Sequence, residues 1–342
     1  MFQLTGAAIA LAFFLPLLLG IVGSLIPAFG IMPSIAQGNG FIQLIDDPRF
    51  VPSIWLSLKT GIIATLIALL VTIATLVCAH GTRLWRWLIA CLPPLLAVPH
   101  AALAVGLIFL IAPSGWLIRL VSPELTGWSR PPTAWVVPDG GGWSLILGLV
   151  IKETPFLLLT AAAQLSTLKV DAALRIGRTL GYAPARCWSR LILPRLYPRI
   201  RLTLLIVLAF NLSVVDVAIL LGPGNPPTFS VFLLSLVNDP GSRSVASAGA
   251  LLLAVGVALV FCVVFILEKT ISYIAARRRE NGQRGTAMQT LRRVGQSLTA
   301  SIQIISIASL LMLLLWSFAH RWRFPNTLPT QWTLQHWTNR SL

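Results

Sequence analysis

The chain has 342 residues, of which 56% are hydrophobic and only 11% charged, and its mean hydropathy is +0.83. A water-soluble domain needs charge on its outer faces, so this composition excludes one and identifies an integral membrane protein. A net charge of +16 would suggest nucleic acid in a soluble protein, but arginines flanking apolar runs instead set orientation in a bilayer.

In chain order, seven apolar runs reach the roughly 20 residues a helix needs to cross a bilayer. They are 5–29, 54–79, 88–112, 143–164, 202–221, 245–267 and 298–319, which predicts an all-α polytopic protein. The chain starts MFQLTG, without the positive n-region of a secretory signal, and its first run is longer than an h-region. It reads as a permanent span. With the N-terminus in the cytoplasm, seventeen of the 26 lysines and arginines fall in inner loops and seven in outer ones, while Lys59 and Lys152 lie within spans. That bias supports this orientation. The outer loops 113–142 and 222–244 are rich in Pro and Gly, and the first carries Trp116, Trp128 and Trp135, which suit a membrane interface. The inner stretch RRRENGQRGTAMQTLRRVGQ, 277–296, is polar. The expected organisation is therefore a six-span domain over 1–275 with a cytoplasmic loop at 167–199, a basic linker over 276–297, and a further span with an outer segment over 298–342.

No catalytic or metal-binding motif is present. There is no phosphate loop of the GxxxxGK[ST] type, no GxGxxG after a strand, no HExxH and no GxSxG. Cys78, Cys91, Cys187 and Cys262 have neither zinc nor CxxC spacing, and His80, His100, His320 and His336 are scattered. The expectation is no enzyme, no metal and no cofactor on this chain.

Ionisable residues inside spans stand out, because a central charge costs roughly 2.5–3.5 kcal/mol. Lys152 and Glu153 sit in LVIKETPFLLL, Asp216 in NLSVVDVAILLGPG, and His100 follows Pro99. Each must face other helices or water. They are candidates for a polar solute pathway. The alternative is a structural tie, either an ion pair or a bond to a freed carbonyl. Pro93, Pro94 and Pro99 interrupt the third run and Pro155 the fourth, as in the broken spans of transporters and in many helices bent for packing alone.

The most informative stretch is 171–198, DAALRIGRTLGYAPARCWSRLILPRLYP. It is basic, with arginines at 175, 178, 186, 190 and 195, and lies between two spans on the inner side. Asp171 suits a helix start, Gly181 a helix end and Pro184 the first turn of another helix, with Pro194 and Pro198 marking entry to the fifth span. The result is a helix–glycine–helix element along the membrane face. It serves either as a docking surface for a soluble protein or as an amphipathic element on anionic lipid.

This loop resembles the EAA loop of permease subunits of ATP-binding-cassette importers, in which Glu-Ala-Ala is followed by a glycine and, nine residues later, by Ile-x-Leu-Pro. Gly181, nine residues and then Leu191, Ile192, Leu193 and Pro194 match the second half. The first half departs: in that register Arg175, Ile176 and Gly177 occupy the Glu-Ala-Ala positions. Asp171, Ala172 and Ala173, followed by Gly177, form a similar motif four residues earlier, about one helical turn. PPLLAVPHAALAVG, KETPF and LLGPGNPPTFSV resemble the branch that imports thiamine, iron(III) or polyamines, and the chain is similar to fused permeases with two six-span halves. Against such proteins it looks like one half plus the start of a second, hence truncated; a natural seven-span permease with a separate partner is the alternative. The resemblance implies a bacterial inner-membrane protein that hydrolyses nothing. Its partners would be a periplasmic solute-binding protein, a second permease half and a cytoplasmic ATPase that carries ATP and magnesium. The coupling residues would be Asp171, Arg175, Arg178, Leu180, Gly181, Pro184, Leu193 and Pro194. The rival classes are a membrane scaffold and a secondary carrier. A carrier would lose transport on Glu153→Gln or Asp216→Asn and ignore ATP depletion.

Overall fold

A computed structural model of the chain describes residues 2–31, 39–133, 137–279 and 289–338. Trp135, Arg284 and Arg340, and the middle of the expected linker, lie outside them. The described chain is an all-α polytopic membrane protein apart from one short hairpin. The helices are α1 (Phe2–Ala28), α2 (Gly40–Asp46), α3 (Phe50–Ala79), α4 (Arg83–Ala97), α5 (His100–Ile111), α6 (Trp116–Val121), α7 (Trp143–Leu165), α8 (Val170–Thr179), α9 (Pro184–Cys187), α10 (Leu193–Ser213), α11 (Asp216–Leu221), α12 (Phe229–Val237), α13 (Arg243–Arg279) and α14 (Gln289–Ser317). Strands β1 (Ala319–Arg321) and β2 (Gln331–Trp332) pair antiparallel, and α15 (Gln335–Thr338) follows. Among the described residues, Phe50–Ala79, His100–Val121, Trp143–Leu165, Pro240–Ala275 and Arg293–Ser317 are long and apolar enough to cross a membrane.

Two expected spans are broken. The third, 88–112, divides into α4 and α5, because Pro99 has no amide to donate and pushes Val98 into an extended conformation (φ −76°, ψ 132°). The fifth, 202–221, divides at Val214, which is also extended, into α10 and α11. Conversely, Pro194 and Pro198 do not mark a helix boundary. The chain is helical from Pro184 through Ser213, passing through a π turn over Trp188–Ile192. That wider turn, in which the Leu193 amide reaches back to the Trp188 carbonyl, accommodates the proline that follows it.

The chain divides into two compact units, Met1–Leu58 with Asn225–Ile271, and Lys59–Gly224 with Ser272–Leu342. In the first unit, Ala28, Leu44, Phe229, Phe232 and Ala248 form the core. Close approach there depends on glycine: a side chain at Gly40 would strike the Ser244 carbonyl. Among the described residues, none in the most apolar stretch of α13 is fully buried, as suits a surface facing lipid or another protein.

The second unit carries the site. Its core joins Leu76 of α3, Leu92 of α4, Leu158 and Ala161 of α7, Val170 of α8, Trp188 and Ile192 of the π turn, and Leu196 and Ile200 of α10. Helix α14 packs on α5 where Gly106 meets the Ser309 backbone, and the Phe109 and Trp316 rings stack at 4.2 Å. The Thr75 and Thr299 hydroxyls meet at 2.8 Å. Beyond α14, buried Arg119 of α6 donates to the carbonyls of Ser114 (2.8 Å), Arg323 (2.9 Å) and Asn326 (3.1 Å). The rings of Trp322, Phe324 and Trp316 surround its guanidinium, and with Trp116, whose indole donates to the Thr327 carbonyl at 3.1 Å, it ties the hairpin segment to α6.

Candidate functional site

The basic stretch folds as the expected helix–glycine–helix element. Asp171 lies in the first turn of α8, where its charge complements the helix dipole. The helix stops in a Schellman motif: the Tyr182 amide donates to the Gly177 carbonyl and the Gly181 amide to that of Arg178, both at 2.9 Å. Gly181 has φ +80°, a left-handed conformation that glycine adopts without the clash a Cβ brings. Pro184 occupies the first turn of α9, as the fixed φ of proline favours. Arg190 reaches back over the Tyr182 ring, 5.8 Å from its centre, and closes the turn.

The anchoring residues are buried. Trp188 is only 2% exposed, and Cys187 is likewise enclosed. Gly177 is buried against Cys187, and a Cβ at Gly177 would collide with the Cys187 sulfur. Burial pushes the Cys187 thiol pKa up, with Arg178 opposing. Leu193 and Pro194 are half-buried, and Leu193 packs against the core, so they belong to the root of the element.

The outward face is different. Asp171, Arg175, Arg178, Gly181 and Pro184 are exposed. Between them, Ile176 and Leu180 are 59% and 58% exposed. Four residues apart on a helix, they share one face. Two bare aliphatic side chains flanked by Arg175 and Arg178 form an amphipathic face of the kind that inserts into a groove. Sequence reasoning named Leu180 and missed Ile176; the apolar spacing of four inside a basic helix was the available signal.

A second cluster sits at the α4–α5 break. Lys152 and Glu153 of α7 are both buried. The Lys152 ammonium donates to the Leu95 carbonyl at 3.1 Å and to that of Val98. Leu95 is four residues before Pro99, so its carbonyl has lost its helical donor, and Lys152 replaces it. Glu153 Oε1 lies 3.3 Å from His100 Nε2, and the His100 ring also meets Phe210. Lys152, Glu153 and His100 thus come together as a tie between α7 and the broken helix. Asp216 does not join them: it is exposed in the first turn of α11. Buried Asn211, whose amide donates to Thr65 Oγ1 at 2.9 Å, is a further polar tie that the sequence reading passed over.

Among the described residues, no group of three His, Cys, Asp or Glu side chains is placed to hold a metal ion. No protein-family model matches the chain. Over 188 residues, 55% of its length, it is 37% identical to the protein named inner membrane ABC transporter permease protein YnjC of Escherichia coli (strain K12). The match takes in 35% of that protein, so the chain spans about a third of the relative it resembles.

Proposed function

We propose that this chain is a membrane-spanning permease subunit of an ATP-driven solute importer in a bacterial inner membrane. Its α8–α9 element docks a cytoplasmic ATPase. The observation that carries this reading is the exposed Ile176–Leu180 face, set between arginines on an element rooted by Trp188 and shaped by two glycines. A rigid root with an apolar tip transmits a push from a soluble partner into α7 and α10, which lipid adhesion alone would not require. The likeness to a protein named as an ABC transporter permease supports the same reading.

In this mechanism the N-terminus faces the cytoplasm, and a periplasmic binding protein delivers the solute to the outer loops. A second permease half, fused or separate, completes the pathway. ATP and magnesium are bound by the ATPase, and the permease hydrolyses nothing. Glu153 and His100 lie where closing movements of α7 against α5 would change their spacing, and they are the pathway candidates of this chain. The thiamine, iron(III) and polyamine class remains the proposed range of cargo.

Affinity capture from native membranes tests this. The wild-type chain should recover an ATPase subunit with a phosphate-binding loop. An Ile176→Asp/Leu180→Asp variant, altered only at exposed positions, should lose it. Burial of two aliphatic anchors contributes about 1.5–3 kcal/mol each, so the loss should exceed a hundredfold in affinity. Equal recovery by the variant would refute docking through this face, and no ATPase with the wild type would refute the importer reading.

A further inference from the structure

Beside the docking face, the turn from α7 into α8 walls a cavity of about 520 Å³. Its polar lining comprises His80, Ser166, Lys169, Asp171 and Arg175, with Trp85 on one side. Two cations face one acid, so the lining favours an anion. Among the described residues, neither the Lys169 ammonium nor the Arg175 guanidinium makes a hydrogen bond or ion pair, and both remain available to a ligand. Lys169 also has φ +44°, a left-handed conformation uncommon outside Gly, Asn and Asp and held only where surrounding structure imposes it. That conformation turns the chain into α8, whose Ala172 and Ala173 amides donate to the Lys169 carbonyl and fix the turn beside the cavity. Ala162 and Leu165 give it an apolar floor. The space is far larger than a phosphate and falls within the usual size of a small-molecule site.

We propose that this cavity binds a phosphate group, carried either by a phospholipid head group or by a soluble phosphate ester, with Lys169 and Arg175 as its cationic ligands. Occupancy braces the start of α8 against α7 and the α3–α4 turn. The binding itself does not depend on the docking reading; only its consequence for coupling rests on it.

The full chain purified in a neutral detergent is equilibrated with phosphatidylglycerol or with diacylglycerol, which lacks phosphate, and bound lipid is counted by native mass spectrometry. In parallel, thermal unfolding is followed in inorganic phosphate and in chloride of matched ionic strength. Saturable retention of phosphatidylglycerol over diacylglycerol identifies a lipid source. A phosphate-specific rise in Tm identifies a soluble one. Lys169→Asn removes the charge while asparagine tolerates the left-handed backbone, and it should weaken whichever signal appears about tenfold. Arg175→Gln should do the same independently. Lys59→Gln, whose ammonium donates to the Gly141 carbonyl, should leave the signal unchanged. Saturable binding of neither probe, or binding unaltered in both cavity variants, overturns the proposal. No ATPase is present, so this assay and the capture experiment fail separately.

Discussion

Lys152→Met tests whether the intramembrane lysine is a structural tie. Lys152 is 5% exposed and donates to two carbonyls at a helix break. Hydrogen bonds from a charged donor contribute about 1.5–3 kcal/mol each, and an orphaned buried carbonyl costs about 1–3 kcal/mol. Relief of the buried charge offsets part of this, which leaves an expected loss of about 2–4 kcal/mol. The diagnostic is Pro99→Ala. Alanine restores an amide four residues after Leu95, so that carbonyl regains a helical donor and Lys152 loses half its purpose. In a double-mutant cycle, Lys152→Met should therefore cost about 1–2 kcal/mol less in the Pro99→Ala background than alone. Unfolding in mixed micelles can be followed by thiol labelling, because Cys78 and Cys187 are buried and react only when the fold opens. Strict additivity, or a stable Lys152→Met protein that has merely lost transport, would refute the tie and return Lys152 to the pathway.

Four further outcomes follow from the geometry. Gly181→Val should destabilise the α8–α9 element by about 1–2 kcal/mol and Gly181→Asn much less, because only the β-branched residue resists φ +80°; amide exchange over 177–187 reads this directly. Gly177→Ala should loosen the same element by forcing its Cβ against the Cys187 sulfur, and Cys187→Ala in the same chain should restore its exchange protection; failure of that rescue would show the collision is relieved another way. Arg119→Lys should free the segment 319–333 to protease, since an ammonium cannot span three carbonyls with the fixed fork of a guanidinium; unchanged cleavage would mean the hairpin holds itself. Burial opposes ionisation of Asp139, but hydrogen bonds from the Ser144 hydroxyl and the Ser144 and Trp143 amides outweigh it and hold its carboxyl below the usual range. A folded pKa below the unfolded value of about 3.9 means that its stabilisation of the α7 start is full above about pH 4 and is lost as pH falls through the lower folded value, so the acid limb of a pH–stability curve should flatten in Asp139→Asn.

The architecture was readable where a single local signal decided it. Long apolar runs gave α3, α7, α13 and α14, because bilayer thickness alone demands that length. Gly181 and Pro184 gave the turn, because positive φ and a missing amide are properties of one residue each. The break at Pro99 was announced by the proline, whereas the one at Val214 was not: hydropathy averages over it and no covalent cause marks it. Arg119 was not readable at all as a clamp. Its partners lie about two hundred residues away at Arg323 and Asn326, and nothing in WLIRLV announces them.

The two glycines of the 171–198 stretch have separate structural roles in the second unit. One glycine at 181 and another at 177 compete for the same place in a linear pattern, yet the fold needs both, for different reasons. Gly181 supplies the left-handed turn, while Gly177 supplies the close contact with Cys187 and, through its carbonyl, accepts the Tyr182 amide that completes the stop. Gly177 lies inside α8, whereas Gly181 stands past its end at Thr179, where the chain turns. Ile176 and Leu180, each one residue before a glycine, point outward instead. Burial of Gly177 against Cys187 and exposure of Ile176 and Leu180 beside it are thus linked, and the proposed docking face should fail through a change at either place.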